Sequence, residues 1–341
     1  MSNRPVTLRD IAKKVGVHTS TVSRVLNPDA GAKVSREVAL KVTRAAEELG
    51  YSLNPFARSL KTNQSFTIGV LIPDLTDPLF PPIMRGIEDT LSEAGYTAIL
   101  ANSDNDPDHE RKGLETMRAR KVDGLILATA QRKDRLVARC VADRIPLVLV
   151  NREVEDHSVP AVVNDDIGGM RMVTEHVISL GHRRIGHISG PQTLSTGMNR
   201  LNGYLAAMRA HGLPERHADM VEAAPLTDAA AQAAAEALLA SDPDLTAIVT
   251  ANDMLALGAY DALEARGLSC PDDVSVTGFN DIPFADKFKP PITTVRIQKF
   301  EMGAEAARLV LRMIKGENVG GLSMLLRPTL VVRGSTAPPR R

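Results

Sequence analysis

From Thr67 onward, short apolar runs alternate with amphipathic stretches, and no other feature of the 341-residue chain restricts its fold as strongly. Runs at 67–72, 97–100, 124–128, 146–150, 184–188, 247–250 and 274–277 are dominated by aliphatic residues and are four to six residues long. That is the length of buried strands. Stretches with helical spacing lie between them at 79–94, 108–120, 165–180, 200–211, 228–240 and 254–266. Strands buried on both faces and alternating with helices imply parallel sheets covered by helices. There are too many units for one sheet. The spacing predicts a body at 66–341 made of two similar subdomains, one of 66–161 and 294–320, the other of 162–293 and 321–333, with a recrossing near 290–295.

Such sheets present ligands at the carboxyl ends of their strands, and two facing lobes form a cleft. Polar residues stand at those ends: Asp77 with Phe80, Asn102, Asn151 with Arg152, Asn164 with Asp165, Asn252 with Asp253, and Asn280 with Asp281. Arg200 stands at the expected start of a helix. Amide and carboxylate groups around a cation suit a small polar ligand. Each residue also has a plainer reading as a helix cap or loop residue.

The first sixty residues differ in kind. Residues 1–61 hold 11 Lys or Arg against 5 Asp or Glu, whereas the whole chain is balanced at 41 of each. A basic module on an acidic body is drawn to a polyanion while the body is not. Thr7 followed by Asp10 reads as a capping box opening a helix that stops at Gly16. A second helix begins near Thr19 or Ser20 with Val22, Val25 and Leu26 on one face. The segment 27–31, NPDAG, breaks the chain, and a third helix after Ser35 turns Val38, Val42, Ala45, Ala46 and Leu49 inward before Gly50. Two short helices joined by a glycine-containing turn and braced by a third form a helix-turn-helix unit over residues 1–51. In that geometry the second helix enters the major groove of DNA by its N-terminal end, which here carries Thr19, Ser20 and Arg24. A short helical stretch at 56–61 is too brief to stand alone. It makes residues 52–65 a candidate hinge.

Other classes find little support. Cys140 and Cys270 are far apart and show no metal-ligand spacing, so two buried thiols are expected and neither a metal nor a cofactor is implied. The eight histidines do not cluster, and the chain lacks GxSxG, GxGxxG and phosphate-loop motifs. An enzyme is therefore not expected. The start of the chain has no apolar signal segment, and no apolar run reaches the length of a membrane span. A cytoplasmic protein with no membrane partner is the expectation. A transport-type sugar-binding protein needs a signal peptide and has no use for a basic N-terminal module.

Several ordered motifs carry a family resemblance: VTLRDIAKKVGV (6–17), TVSRVLN (21–27), YSLNPFARSL (51–60), PDLTDPLF (73–80), SLGHRRIGHISG (179–190), NRLNGY (199–204), ANDMLALGA (251–259), DDVSVTGFND (272–281) and PITTV (291–295). Over residues 6–331 the chain resembles the lactose-repressor and purine-repressor family of transcription regulators. The resemblance implies an all-α helix-turn-helix domain and hinge helix, followed by an effector body like the type I periplasmic sugar-binding proteins. It implies a homodimer on a pseudo-palindromic double-stranded operator. It places DNA contacts at Thr7, His18, Thr19, Ser20, Thr21, Ser23, Arg24, Asn27, Asn54, Arg58 and Leu60, the last wedging into the minor groove. It places effector contacts at Asp77, Phe80, Asn151, Arg152, Thr196, Arg200, Asn252, Asn280 and Asp281.

Three departures from the family pattern bear on specificity. Asn280 stands where the family usually has Asp, which removes a carboxylate and disfavours a cationic ligand. The run EAAP (222–225) offers no aromatic platform, which disfavours a stacked base. The loop at 29–33 is longer than in the lactose repressor, so its DNA contacts do not carry over. A sugar or a sugar acid fits what remains, because Arg152 and Arg200 suit hydroxyls and carboxylates alike. Repression relieved by effector is the preferred direction, with corepression or activation as alternatives. No apolar heptad run follows the last strand, so a dimer rather than a coiled-coil tetramer is expected.

Overall fold

The computed structural model describes residues 6–26, 34–51, 64–216, 219–224 and 227–340. The chain divides into two units, Met1–Ser65 and Phe66–Arg341. In the first, helix α1 (Leu8–Val15) opens on the expected box: the Thr7 amide donates to Asp10 Oδ2 at 2.8 Å and the Thr7 hydroxyl to the same oxygen at 2.7 Å. It closes at Gly16, whose φ of 76° is the left-handed conformation that glycine adopts without strain. Helix α2 (Thr19–Val25) and helix α3 (Arg36–Glu48) complete the unit. The apolar faces of the three helices meet in a small core of Ile11, Ala12, Val22, Val42, Ala45 and Ala46. The expectations for Asn27, for the 29–33 loop and for a hinge helix carrying Asn54, Arg58 and Leu60 lie outside the described residues.

The second unit contains two parallel sheets. The first lobe is built from β1 (Thr67–Ile72), α4 (Phe80–Glu93), β2 (Thr97–Asn102), α5 (Pro107–Ala119), β3 (Gly124–Leu127), α6 (Arg135–Ala142), β4 (Leu147–Val150) and β5 (Ala161–Asn164). The second is built from α7 (Asp166–Ser179), β6 (Ile185–Ser189), α8 (Ser195–Ala210), β7 (Met220–Glu222), α9 (Asp228–Ser241), β8 (Ala247–Thr250), α10 (Asp253–Ala265) and β9 (Ser275–Thr277). The chain returns through β10 (Thr294–Arg296) to α11 (Lys299–Ile314) and β11 (Ser323–Leu326), and β12 (Thr329–Val331) pairs antiparallel with β10. The large sheet has the order β11-β5-β4-β3-β1-β2 and the small one β7-β6-β8-β9. Strands β3 and β4 are buried throughout, whereas the edge strand β2 is partly exposed. That difference follows from helices covering both faces of an interior strand.

This topology corrects the subdomain boundaries. Strand β5 pairs with β4, and β11 pairs with β5, so both belong to the first sheet. The first crossing therefore falls after Asn164 and not at 161, and residues 323–326 return to the first lobe before the chain crosses again. One start also moves. Helix α8 begins at Ser195, so Arg200 sits in its second turn and not at its opening.

Helices α4 and α11 cross at glycine. A Cβ on Gly86 falls 2.0 Å from the Phe300 carbonyl oxygen, and one on Gly303 falls 2.0 Å from that of Ile83. Only the absence of side chains lets these backbones meet.

Candidate functional site

The loops that follow β1, β4, β6, β8 and β9 converge where the two lobes face each other. Eight of the nine expected effector residues line one cavity there: Asp77, Phe80, Asn151, Arg152, Thr196, Arg200, Asn252 and Asn280. Its volume is about 40 Å3, room for a few waters and less than a sugar ring requires. Leu79, Gly190, Pro191, Leu194, Gly197 and Ala251 complete the wall.

Arg200 is built into the protein. Its Nε donates to Asp166 Oδ1 at 2.9 Å, Nη1 to the Ala251 carbonyl at 2.7 Å and Nη2 to Asn280 Oδ1 at 3.3 Å. Its guanidinium lies 4.0 Å from the centre of the Phe279 ring. Three of five N–H donors are engaged, and the charge is neutralised by a carboxylate as buried as itself. Gly169 makes the arrangement fit, because a Cβ there meets the Phe279 ring at 2.9 Å. Asp166 did not stand out in the sequence, since a second acid at a helix start reads as a cap.

Arg152 is the opposite case. It is 7% exposed, its Nη1 reaches only the Thr129 carbonyl at 3.4 Å, and its Nε has no partner. Burial lowers its pKa to about 10, with Asp77 and Glu110 pulling the other way. Burial likewise raises the Asp77 carboxyl, which accepts from the Leu79 amide at 2.8 Å. Arg152 also borders two larger adjoining cavities of about 360 and 300 Å3.

The amides are divided in the same way. Asn151 holds φ at 67°, which Asn tolerates better than most residues, and its buried Oδ1 has no partner. The Oδ1 of Asn252 caps α10 through the Leu255 amide at 2.8 Å, so the plainer reading holds for that atom. Asn280 stands at φ 107°, and Lys299 Nζ holds its carbonyl at 2.7 Å. Asp281, expected beside Asn280 at the ligand, is instead held by Arg296 at 2.6 Å and Arg333 at 2.7 Å and does not line the cavity. Asp281 itself stands at φ 52°. Asn102 bonds Asp104, and Asn164 is buried with neither amide atom partnered; neither borders the cavity.

In the small unit, Ser20 and Arg24 are exposed and Thr19, Thr21 and Ser23 are partly exposed around α2. His18 caps α2, its Nδ1 lying 2.8 Å from the Ser20 hydroxyl and 3.3 Å from the Ser20 amide. Thr7 is committed to its own cap through Asp10.

Comparison with known proteins brings these pieces together. Residues 7–54 match the family described as bacterial regulatory proteins, lacI family, and residues 65–325 match periplasmic binding proteins and sugar binding domain of LacI family. The ribose operon repressor of Halalkalibacterium halodurans is 34% identical, covering 97% of each chain. The solved complex of the transcriptional regulator CelR with cellobiose is 32% identical, with a TM-score of 0.75 over 97% of this chain and 100% of that one. The lac repressor dimer bound to operator and the anti-inducer ONPF is 26% identical, with a TM-score of 0.85 over 98% of this chain and 100% of that one.

Proposed function

Because the chain belongs to the LacI family of bacterial transcription regulators, a sequence-specific DNA-binding family, we propose that it is a homodimeric repressor released from a pseudo-palindromic operator by a small hydroxylated effector, a sugar or sugar acid. The observation that carries this reading is the cavity between the lobes, where eight expected effector residues meet around the under-partnered Arg152. A sugar ring enters it only if the lobes separate about the crossings after Asn164, near β10 and before β12. Ligand binding is then coupled to lobe movement. The roles proposed for Thr19, Ser20 and Arg24 are base readout. Those for His18, Thr21, Ser23 and the other expected contacts are positioning on the phosphates. Leu60 is the proposed minor-groove wedge. Arg200 orients Asn280 and the wall, and Arg152 supplies free donors to the effector.

The test is a titration of fluorescent operator fragments from the neighbouring promoter with full-length protein, with and without candidate sugars. Release of bound operator by a sugar is expected. A sugar that tightens operator binding defeats the inducer reading, and a response only to a purine or amino acid defeats the effector class.

A further inference from the structure

In the small unit, the hydroxyl hydrogen of Ser20 is already committed within the protein. His18 Nδ1 lies 2.8 Å from Ser20 Oγ and accepts from the Ser20 amide at 3.3 Å. An amide N–H only donates, so Nδ1 is the unprotonated nitrogen of the ring. It has no hydrogen to give, and the 2.8 Å contact therefore has the Ser20 hydroxyl as its donor. The ring proton sits on Nε2, which is left to donate outward, as suits a phosphate. The two residues are only two apart in the chain, so the bond needs no distant part of the fold to hold it.

This bond removes an ambiguity that serines ordinarily carry. A free hydroxyl both donates and accepts, so it meets any base edge in the major groove. Ser20 Oγ keeps only its lone pairs. The groups that donate to a lone pair there are the exocyclic amines, N6 of adenine and N4 of cytosine. N7 and O6 of guanine and O4 of thymine only accept. Among the described residues, the hydroxyls of Thr19, Thr21 and Ser23 have no comparable bond and keep both capacities. We infer that His18 is a positioning residue for sequence specificity: by holding the Ser20 hydroxyl hydrogen it makes Ser20 an acceptor that selects an adenine or cytosine amine in each operator half-site. This deepens the reading of Ser20 as a base contact and rests on it.

His18 also has a purely structural task, as the cap of α2. The two tasks use different hydrogens. The cap engages the Ser20 amide, and the selection engages the Ser20 hydroxyl. A cap alone sets stability and leaves base preference untouched. Glycine at a cap position costs only a few tenths of a kcal/mol relative to a capping side chain, so the side chain can be removed with the helix start retained.

The experiment is a fluorescence anisotropy titration of operator duplexes with the full-length protein. All single base-pair changes of an operator from the neighbouring promoter are scanned with parent and Ser20→Ala, to find the pair whose preference depends on Ser20. At that pair the amine is deleted, with purine in place of adenine or 2-pyrimidinone in place of cytosine. In a separate duplex N7 is deleted with a 7-deaza purine. Amine deletion is expected to weaken parent binding about three- to tenfold more than it weakens Ser20→Ala binding, a comparison that cancels the cost of the altered base pair. Deletion of N7 is expected to affect the two proteins alike. His18→Gly is expected to shrink the Ser20-dependent preference to less than about twofold, and His18→Asn, whose carbonyl oxygen accepts, to keep it. Melting curves show that each variant is folded. Equal effects of amine deletion on parent and Ser20→Ala, coupling of Ser20 to N7, or a His18→Gly variant with the full preference each overturns the role given to His18. A Ser20→Ala variant with unchanged preference at every base pair defeats the reading of Ser20 as a base contact, and the selection with it.

Discussion

In one corner of the cleft, Arg200 gives three donors to Asp166, Ala251 and Asn280 and rests on Phe279. In another, Arg152 is as deeply buried but has a single long contact and a bare Nε. The two residues are chemically identical and both line the same cavity. The difference lies in what the fold supplies around them: a carboxylate within bonding distance in one case, and only more distant carboxylates in the other. A buried charge that is fully paired belongs to the structure. One left unpaired lowers stability, and persists where binding needs it.

Separating the two kinds of charge is a matter of removing partners. The largest effect is expected from Asp166→Ala, which leaves Arg200 buried without its carboxylate. A loss of about 3–5 kcal/mol is expected in denaturant unfolding of the body. A loss below about 1 kcal/mol contradicts the structural role given to Arg200.

A buried carboxyl offers the second test. Asp253 accepts from Thr294 Oγ1 at 2.5 Å and from the Ile282 amide at 2.8 Å, yet burial still pushes its pKa up to about 7. The folded state thus holds the proton more tightly than the unfolded chain, whose carboxyl titrates near about 3.9. The resulting stability is whole below about pH 4 and is lost as pH rises through about 7, by up to about 4 kcal/mol. Unfolding measured from pH 4 to 8 is expected to show a flatter profile in Asp253→Asn than in the parent. Identical slopes count against Asp253 as the titrating group.

The smallest effect on stability is expected at Arg152. Replacing it with Met removes an under-partnered buried charge and keeps the stem, so stability is expected to hold within about 1 kcal/mol or to rise. Effector-induced operator release is expected to vanish in the same variant. A large loss of stability removes the contrast with Arg200, and an intact effector response removes Arg152 from the site.

Much of this was legible in the residues. The alternation after Thr67 is a local property, and the strands and helices it predicts stand within a few residues of their expected bounds. Thr7, Asp10 and Gly16 announce the first helix because a cap needs only its own neighbours. The loops carrying Asp77, Asn151, Asn252 and Asn280 were readable for the same reason, since each follows a strand. The assignment of β5 was not readable. Ala161–Asn164 is a buried run that suits either sheet, and its place is fixed by the register of Leu149 opposite Ala161. The Arg200–Asp166 pair was hidden because it joins helices α7 and α8 across 34 residues. That Asp281 lies outside the cavity was not readable either, because the arginines that hold it, Arg296 and Arg333, are 15 and 52 residues away in the chain.

The sequence by itself determined the basic three-helix module, the two-lobed α/β body and the strand ends where ligand chemistry collects. These follow from periodicity, caps and charge, which are set by residues close together in the chain. Only the tertiary structure decided which arginine is satisfied and which is open, and that Asp281 is held by Arg296 and Arg333. Those outcomes depend on distances between segments far apart in sequence. An arginine with a carboxylate at 2.9 Å and an arginine with a bare Nε are written with the same letter.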